Sequence, residues 1–311
     1  MKLKRKINFD VCTFCNHACD FCSNPDKRTK KAKTSYADFV KAMDNVLQYV
    51  ETDELGLSAK GEVLLNNDLE SIISHCKNIY NIPYIYISSN GALMNESRAV
   101  SLIESGLDSI KFSINAVDSK NYKKVHNRDD FDRVIQNFST LLKLKKEKYP
   151  YLKLLISSVL TPCNTQNPQD AFKKIFGEDS IFIDNILPYQ RTLTQKEYIS
   201  TGGGGIEETP HKRHFSPTQY FSPLQFSTAQ PLQKPLCFIP FNEIWINSDC
   251  SLILCCKDYF DSINFGSLLT HDFLDLYHSQ AFEEIRQMQQ YGIFPQHHLC
   301  KQCLGYNRSE K

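Results

Sequence analysis

The sequence predicts an α/β protein: an open, partial (β/α)6 TIM-like barrel over residues 1–190, then a small α+β domain over 236–311. Three observations predict it. Strand-length apolar runs alternate with amphipathic helical stretches six times on short connections, the pattern of a parallel sheet with helices outside. Six units are too few to close an eight-stranded barrel, so the sheet is expected to stay open. From 191 to 235 the periodicity stops, with Gly202–Gly205 and five prolines from Pro210 to Pro235, and a shorter cysteine-rich region then resumes it.

Taken in order, Ile7–Val11 reads as the first strand. The helix after it carries the apolar stripe Phe39, Val40, Met43, Val46, Leu47 and Val50, opened by the capping pattern Ser35-x-x-Asp38. Leu55–Ser58 is the second strand, followed by a helix with Leu69, Ile72, Ile73, Cys76 and Ile79 on one face. Tyr84–Ser88 and Ser109–Asn115 are strands three and four, separated by a helix stopping near Gly106. A helical face of Phe131, Val134, Ile135, Phe138, Leu141 and Leu142 leads to strand Lys153–Leu160. A helix closed by Gly177 leads to the sixth strand, Ile181–Leu187. Residues 191–235 read as a linker or an active-site loop; the aromatics Tyr198, Phe215, Tyr220, Phe221 and Phe226 are more than a tether needs. The last region is expected to hold strands near Glu243–Asn247 and Leu252–Cys255 and a helix from Asp272 to Tyr291.

Composition narrows the function. Lys and Arg total 36 against 35 Asp and Glu, so no broad field favours a polyanion, and nucleic acid is excluded as a partner. No apolar run reaches the roughly 18 residues of a membrane span, and no signal-peptide core follows Met1. The expectation is a cytoplasmic protein with no membrane partner. In that compartment 12 cysteines read as metal ligands rather than disulfides. They crowd the two ends: Cys12, Cys15, Cys19 and Cys22, then Cys237, Cys250, Cys255, Cys256, Cys300 and Cys303. Two metal sites explain that distribution.

Cys15-Asn-His-Ala-Cys19-Asp-Phe-Cys22 directly follows the first strand. Three thiolates so spaced hold three corners of a [4Fe–4S] cluster and leave one iron open for a small bidentate ligand. Cys12 lies inside the strand and reads as an apolar core residue. At the other end, Cys237, Cys255 and the pair Cys300-x-x-Cys303 form a four-thiol set whose spacing suits either zinc or iron–sulfur.

The N-terminal run resembles the CxxxCxΦC signature of the radical S-adenosylmethionine (SAM) superfamily, Phe21 being the aromatic residue. The resemblance implies that SAM chelates the open iron and that Phe21 lies against its adenine. Further segments resemble the same family in the same order. Ala59-Lys60-Gly61-Glu62-Val63-Leu64-Leu65 is similar to its GGE or GEP-L-L segment, with Val63 in place of the proline; Gly61 and Glu62 would meet the SAM ammonium group. Ser88-Ser89-Asn90-Gly91 resembles its TNG turn, and Ser113 and Asn115 fall where a Ser and an Asp contact the ribose. Tyr122…His126-Asn127-Arg128 is similar to its Y-x-x-I-R-G stretch and reads first as structural. The region from Cys237 through Trp245, Cys255 and Gly266 resembles the SPASM/Twitch modules, which bind auxiliary [4Fe–4S] clusters. Its four matching cysteines suit the shorter Twitch form with complete ligation, similar to the butirosin aminocyclitol dehydrogenase type. Cys250 stands where that family has glycine; it and Cys256 read as buried, the alternative being that one of them replaces a ligand or acts on a substrate radical.

The resemblance implies a radical SAM oxidoreductase with SAM and two [4Fe–4S] clusters as cofactors. A flavodoxin or ferredoxin would be its external one-electron reductant. A fully ligated second cluster suits an electron acceptor, so the expected reaction is dehydrogenation of a hydroxyl-bearing small molecule or glycan. Arg191, just past the sixth strand, is the candidate for taking the hydroxyl proton. The rival is a maturase of a ribosomally made peptide, disfavoured because the first strand begins by Ile7 and leaves no room for a leader-binding domain. A zinc-stabilised interaction module leaves the N-terminal loop unexplained, and a molybdopterin-type cyclase is disfavoured by the ending Ser309-Glu310-Lys311.

Overall fold

A computed structural model of the chain describes residues 2–22, 24, 30–160, 167–190, 230–258, 260–295 and 298–308. Arg191 and the stretch to 229 lie outside the described residues.

Strands β1 (Leu3–Lys4) and β2 (Lys6–Phe9) lead into the cysteine loop and α1 (Tyr36–Leu47). Ser35 caps α1 by accepting the Asp38 N–H, as its sequence suggests. Val50, expected on the helical stripe, lies instead in β3 (Val50–Glu51), because the helix stops at Leu47 and Val50 pairs with Leu3 of β1. The alternation continues through β4 (Glu54–Gly56), α2 (Leu69–Asn78), β5 (Tyr84–Ser89), α3 (Glu96–Glu104) and β6 (Ser109–Ser113). Then come α4 (Ser119–His126), α5 (Phe131–Glu147), β7 (Lys153–Leu160), α6 (Pro168–Phe176) and β8 (Asn185–Gln190). Strands β2-β4-β5-β6-β7-β8 pair in parallel in that order, which is the expected six-stranded partial barrel.

Two further expectations in the barrel fail locally. Ile79 caps the end of α2 and is 62% exposed. The sixth strand starts at Asn185, not Ile181, because 177–182 winds into a 3-10 turn that leaves Ile181 80% exposed.

The C-terminal region comprises α7 (Ile239–Asn242), β9 (Glu243–Ile246), β10 (Ser251–Ile253), β11 (Asn264–Ser267), α8 (Phe273–Tyr277), α9 (Gln280–Tyr291) and α10 (Leu299–Arg308). The single helix expected from Asp272 is broken at His278–Ser279, where Ser279 caps α9. β9 pairs in parallel with β2, so one nine-stranded sheet runs β11-β10-β9-β2-β4-β5-β6-β7-β8.

The two faces of the sheet differ. Phe9 meets Phe39 of α1 and Phe112 meets Phe138 of α5, so alternate residues pack on the helices. The other face is polar: Lys6 donates to Glu54, Tyr86 to Asn8, and Asn8 and Trp245 both donate to Glu243. No helix among the described residues is long and apolar enough to cross a membrane.

Candidate active site and metal centres

The cysteine loop leaves the carboxyl end of β2, beside the segments that follow β4, β5 and β6, the edge where parallel α/β sheets place their chemistry. Gly61 presses on the loop so closely that a Cβ there would lie 2.3 Å from the Cys12 carbonyl and 2.5 Å from that of Phe14. Only glycine fits. The Glu62 N–H then donates to the Phe14 carbonyl at 2.7 Å. Phe21 is half-buried in the turn closed by the Cys22 N–H to the Cys19 carbonyl.

Glu62 is fully buried and accepts from Ser89 Oγ and the Asn90 N–H at 2.7 Å each and from the Leu64 N–H at 3.1 Å. Burial raises its carboxyl above the usual range, against those bonds. It therefore braces the two SAM-like segments together, a role not read from the sequence. Oε2 takes one of the three bonds and keeps a lone pair for a further donor. Asn90 Nδ2 reaches Asn16 Oδ1 at 2.8 Å, and Gly91, at φ +80 under the Phe112 ring, makes the turn. Ser113 Oγ meets Ser157 Oγ, and Asn115 Oδ1 accepts the Val159 N–H.

The end of α4 holds the loop from the other side. The carbonyls of His126 and Val125 accept from the Ala18 and Asp20 N–H groups, Asn127 Nδ2 donates to the Ala18 carbonyl and Arg128 to that of Asn16. Asn127 adopts φ 52, the left-handed conformation that asparagine tolerates. The stretch read first as structural is the clamp of the cysteine loop. His17 and His126, both buried, meet across 109 positions, a contact that nothing in the sequence announces.

Cys15, Cys19 and Cys22 are partly buried along this loop. Burial pushes the Cys15 thiol up to about 11 and raises Cys19 and Cys22 too, with Cys15 and Cys22 adding to the rise at Cys19. In the C-terminal set burial takes Cys300 to about 12, reinforced by Cys237 and Cys303, and raises Cys237, Cys255 and Cys303. Cys256 is a fifth thiol here, coupled to Cys303, while Cys250 is buried at φ 61, the conformation that suits glycine. Only thiolates ligate a metal, so a cluster bound at either set must displace these protons. Among the described residues neither set gathers three sulfurs within 4.8 Å.

A thiol loop on the barrel edge and a second thiol set in the C-terminal region give a partial barrel two candidate metal centres. Residues 10–161 match the radical SAM superfamily, and residues 237–304 match SPASM, an iron–sulfur cluster-binding domain. The chain belongs to the radical SAM superfamily and carries a SPASM domain; those domains take SAM and [4Fe–4S] clusters. A probable GTP 3′,8-cyclase of Sulfurisphaera tokodaii is 23% identical over 83% of this chain and 83% of its own length. Further cyclases of that name, from Methanococcus species, align over 40% of their own length. The crystal structure of BtrN in complex with AdoMet and 2-DOIA superposes with a TM-score of 0.53 at 15% identity, covering 94% of this chain and 89% of BtrN. Streptococcus suis SuiB bound to precursor peptide SuiA gives 0.63 at 15% identity, covering 92% of this chain and 67% of SuiB. These likenesses show the fold.

Proposed function

We propose that this radical SAM enzyme dehydrogenates a hydroxyl-bearing small molecule or sugar. The observation that carries the reading is the C-terminal set of four thiols, Cys237, Cys255, Cys300 and Cys303, on the module that continues the barrel sheet through β9. Four thiolates complete the ligation of a cubane and leave no iron for substrate, so its use is to take an electron. Bound at the reduced N-terminal cluster, SAM supplies a 5′-deoxyadenosyl radical that removes a hydrogen atom.

The chain's own residues do the rest. Cys15, Cys19 and Cys22 hold the first cluster, Phe21 flanks the adenine, Gly61 and Glu62 meet the ammonium group, Ser89 and Asn90 shape the turn, and Ser113 and Asn115 face the ribose. The polar sheet face of Lys6, Asn8, Tyr86 and Glu243 suits a hydroxylated substrate. Oxidation of a secondary alcohol would then balance as one hydrogen atom to the radical, one proton to solvent or a carboxylate base, and one electron to the C-terminal cluster; Arg191, directly after β8 in the sequence and always protonated, would hold the hydroxyl oxygen as a hydrogen-bond donor. A flavodoxin- or ferredoxin-type reductant primes the first cluster. The division at 190 and 235 into barrel, active-site loop and Twitch-like domain belongs to the same proposal.

The second reading is peptide maturation, favoured by the higher TM-score to SuiB than to BtrN. Anaerobically reconstituted protein is expected to hold about eight iron, and about four after Cys15, Cys19 and Cys22 are replaced by Ala. With reductant and SAM, hydroxylated aminocyclitols or sugars are expected to yield 5′-deoxyadenosine and a product lighter by two hydrogens. A product from a peptide or from GTP alone rejects the dehydrogenase reading.

A further inference from the structure

His126 is in neither ligand set, yet its buried ring touches a candidate residue of each kind. Nε2 lies 3.2 Å from the Asn115 backbone N and 3.3 Å from Asn115 Nδ2. Nδ1 lies 3.4 Å from Cys19 Sγ and 3.3 Å from His17 Nδ1. The protons follow by elimination. A backbone N–H can only donate, so Nε2 accepts and the single ring proton sits on Nδ1. At His17, Nε2 lies 3.2 Å from Asp130 Oδ2, which also accepts from Arg133, so that nitrogen donates and His17 Nδ1 is an acceptor. The His126 Nδ1–H thus points at two acceptors, His17 Nδ1 and Cys19 Sγ. An iron-bound thiolate, being anionic, draws it the more strongly.

The ring cannot turn away. Tyr122 stacks on it with centroids 4.0 Å apart and planes 12° apart. Asn115 is fixed too, since its Oδ1 holds the Val159 N–H at 2.8 Å and so aims Nδ2 at the ring.

We propose that His126 is a positioning residue with two jobs, donating from Nδ1 to the Cys19 sulfur to set the potential of the N-terminal cluster, and holding Asn115 through Nε2 in place for SAM. A hydrogen bond to a ligand sulfur favours the more negative, reduced cluster and raises its potential. The inference rests on the reading of Cys19 as a ligand and Asn115 as a SAM contact.

Two substitutions separate the jobs, because Asn carries an N–H near the Nδ1 position and Gln an acceptor near the Nε2 position. The test uses the full chain, reconstituted with iron and sulfide, with iron content first matched to wild type. An EPR-monitored redox titration reads the cluster whose signal responds to SAM, and equilibrium dialysis reads SAM affinity. His126→Gln is expected to lower the midpoint potential and leave SAM affinity within about twofold. His126→Asn is expected to keep the potential and weaken SAM binding by about two- to tenfold. The proposal is overturned if His126→Gln keeps the wild-type potential, if both variants move both readouts alike, or if both lose the cluster. Failure of the underlying ligand reading shows differently: the Cys15, Cys19 and Cys22 triple variant would keep all its iron.

Discussion

Glu62 ties Leu64, Ser89 and Asn90 together, so removing it does more than empty a place for SAM. Glu62→Ala would strand two buried N–H groups and a hydroxyl, and is expected to cost about 1–3 kcal/mol of stability. Glu62→Gln keeps an acceptor and most of the brace while removing the charge. It is expected to weaken SAM binding about tenfold with iron content unchanged, measured by equilibrium dialysis; an unaltered dissociation constant would leave Glu62 as a brace alone. Asp10 is the other buried carboxyl of this edge, accepting the Lys60 N–H at 3.1 Å, and burial lifts it from 3.8 to about 6. The folded state therefore binds this proton more tightly than the unfolded chain does. The stability it contributes is complete below about pH 4 and lost as pH rises through about 6. Relative to Asp10→Asn, wild type is expected to lose about 2 kcal/mol between pH 4 and pH 7 in denaturant titrations; parallel pH profiles would reject a buried, proton-holding carboxyl.

At the scale of elements, α4 earns its place by its C-terminus, which grips the cysteine loop through Asn127 and Arg128. The left-handed backbone at Asn127 matters more than its side chain. Asn127→Gly is expected to cost under about 1 kcal/mol, while Asn127→Val, β-branched where φ is positive, costs about 2 kcal/mol or more, measured by denaturant unfolding. Equal costs would show that the hydrogen bond to Ala18 decides. The barrel strands were legible as short apolar runs between helical stretches, and β5 also alternates buried Ile85 and Ile87 with half-buried Tyr84 and Tyr86. Ile181 and Phe182 misled for the same reason, since an apolar pair with β-branching looks alike in a strand and in an exposed 3-10 turn. Helix α10 was missed because Cys300, Cys303 and Gly305 break any apolar period. The N-terminal thiol loop could be read from local spacing, whereas the SAM-like segments and the C-terminal thiol set were expected from resemblance to family motifs. The His17–His126–Asn115 relay and the Glu62 brace were not, because their partners come from different strands.

At the scale of the whole molecule, nine of the eleven described strands join in one sheet. β9 lies against β2 across more than 230 residues of chain, a pairing no local pattern announces, with Lys6 opposite Glu243 and Phe9 opposite Ile246. One buried ion pair reinforces the seam. Lys60, in the SAM-like segment after β4, bonds Asp261, in the loop between β10 and β11, and the two side chains are only 2% and 10% exposed. Asp261 is held further by Asn247 Nδ2 at 2.8 Å and sits at φ 54 with Asp258 nearby. Lys60→Met would leave that carboxylate buried and unpaired, and is expected to cost about 3–5 kcal/mol. Adding Asp261→Asn, which tolerates the same backbone, should recover part of the loss, and the double-mutant cycle should show coupling above about 1 kcal/mol. Trp245, the single tryptophan, lies in β9 and reports the seam by fluorescence, while far-UV circular dichroism reports the helices around the barrel. If sheet and ion pair make one cooperative unit, wild-type denaturation curves from the two probes coincide. In Lys60→Met they are expected to shift together. A Trp245 transition that precedes the helical one in wild type would mean that the C-terminal module detaches first, and that the β2–β9 ladder does not bind the thiol-bearing halves into one folding unit.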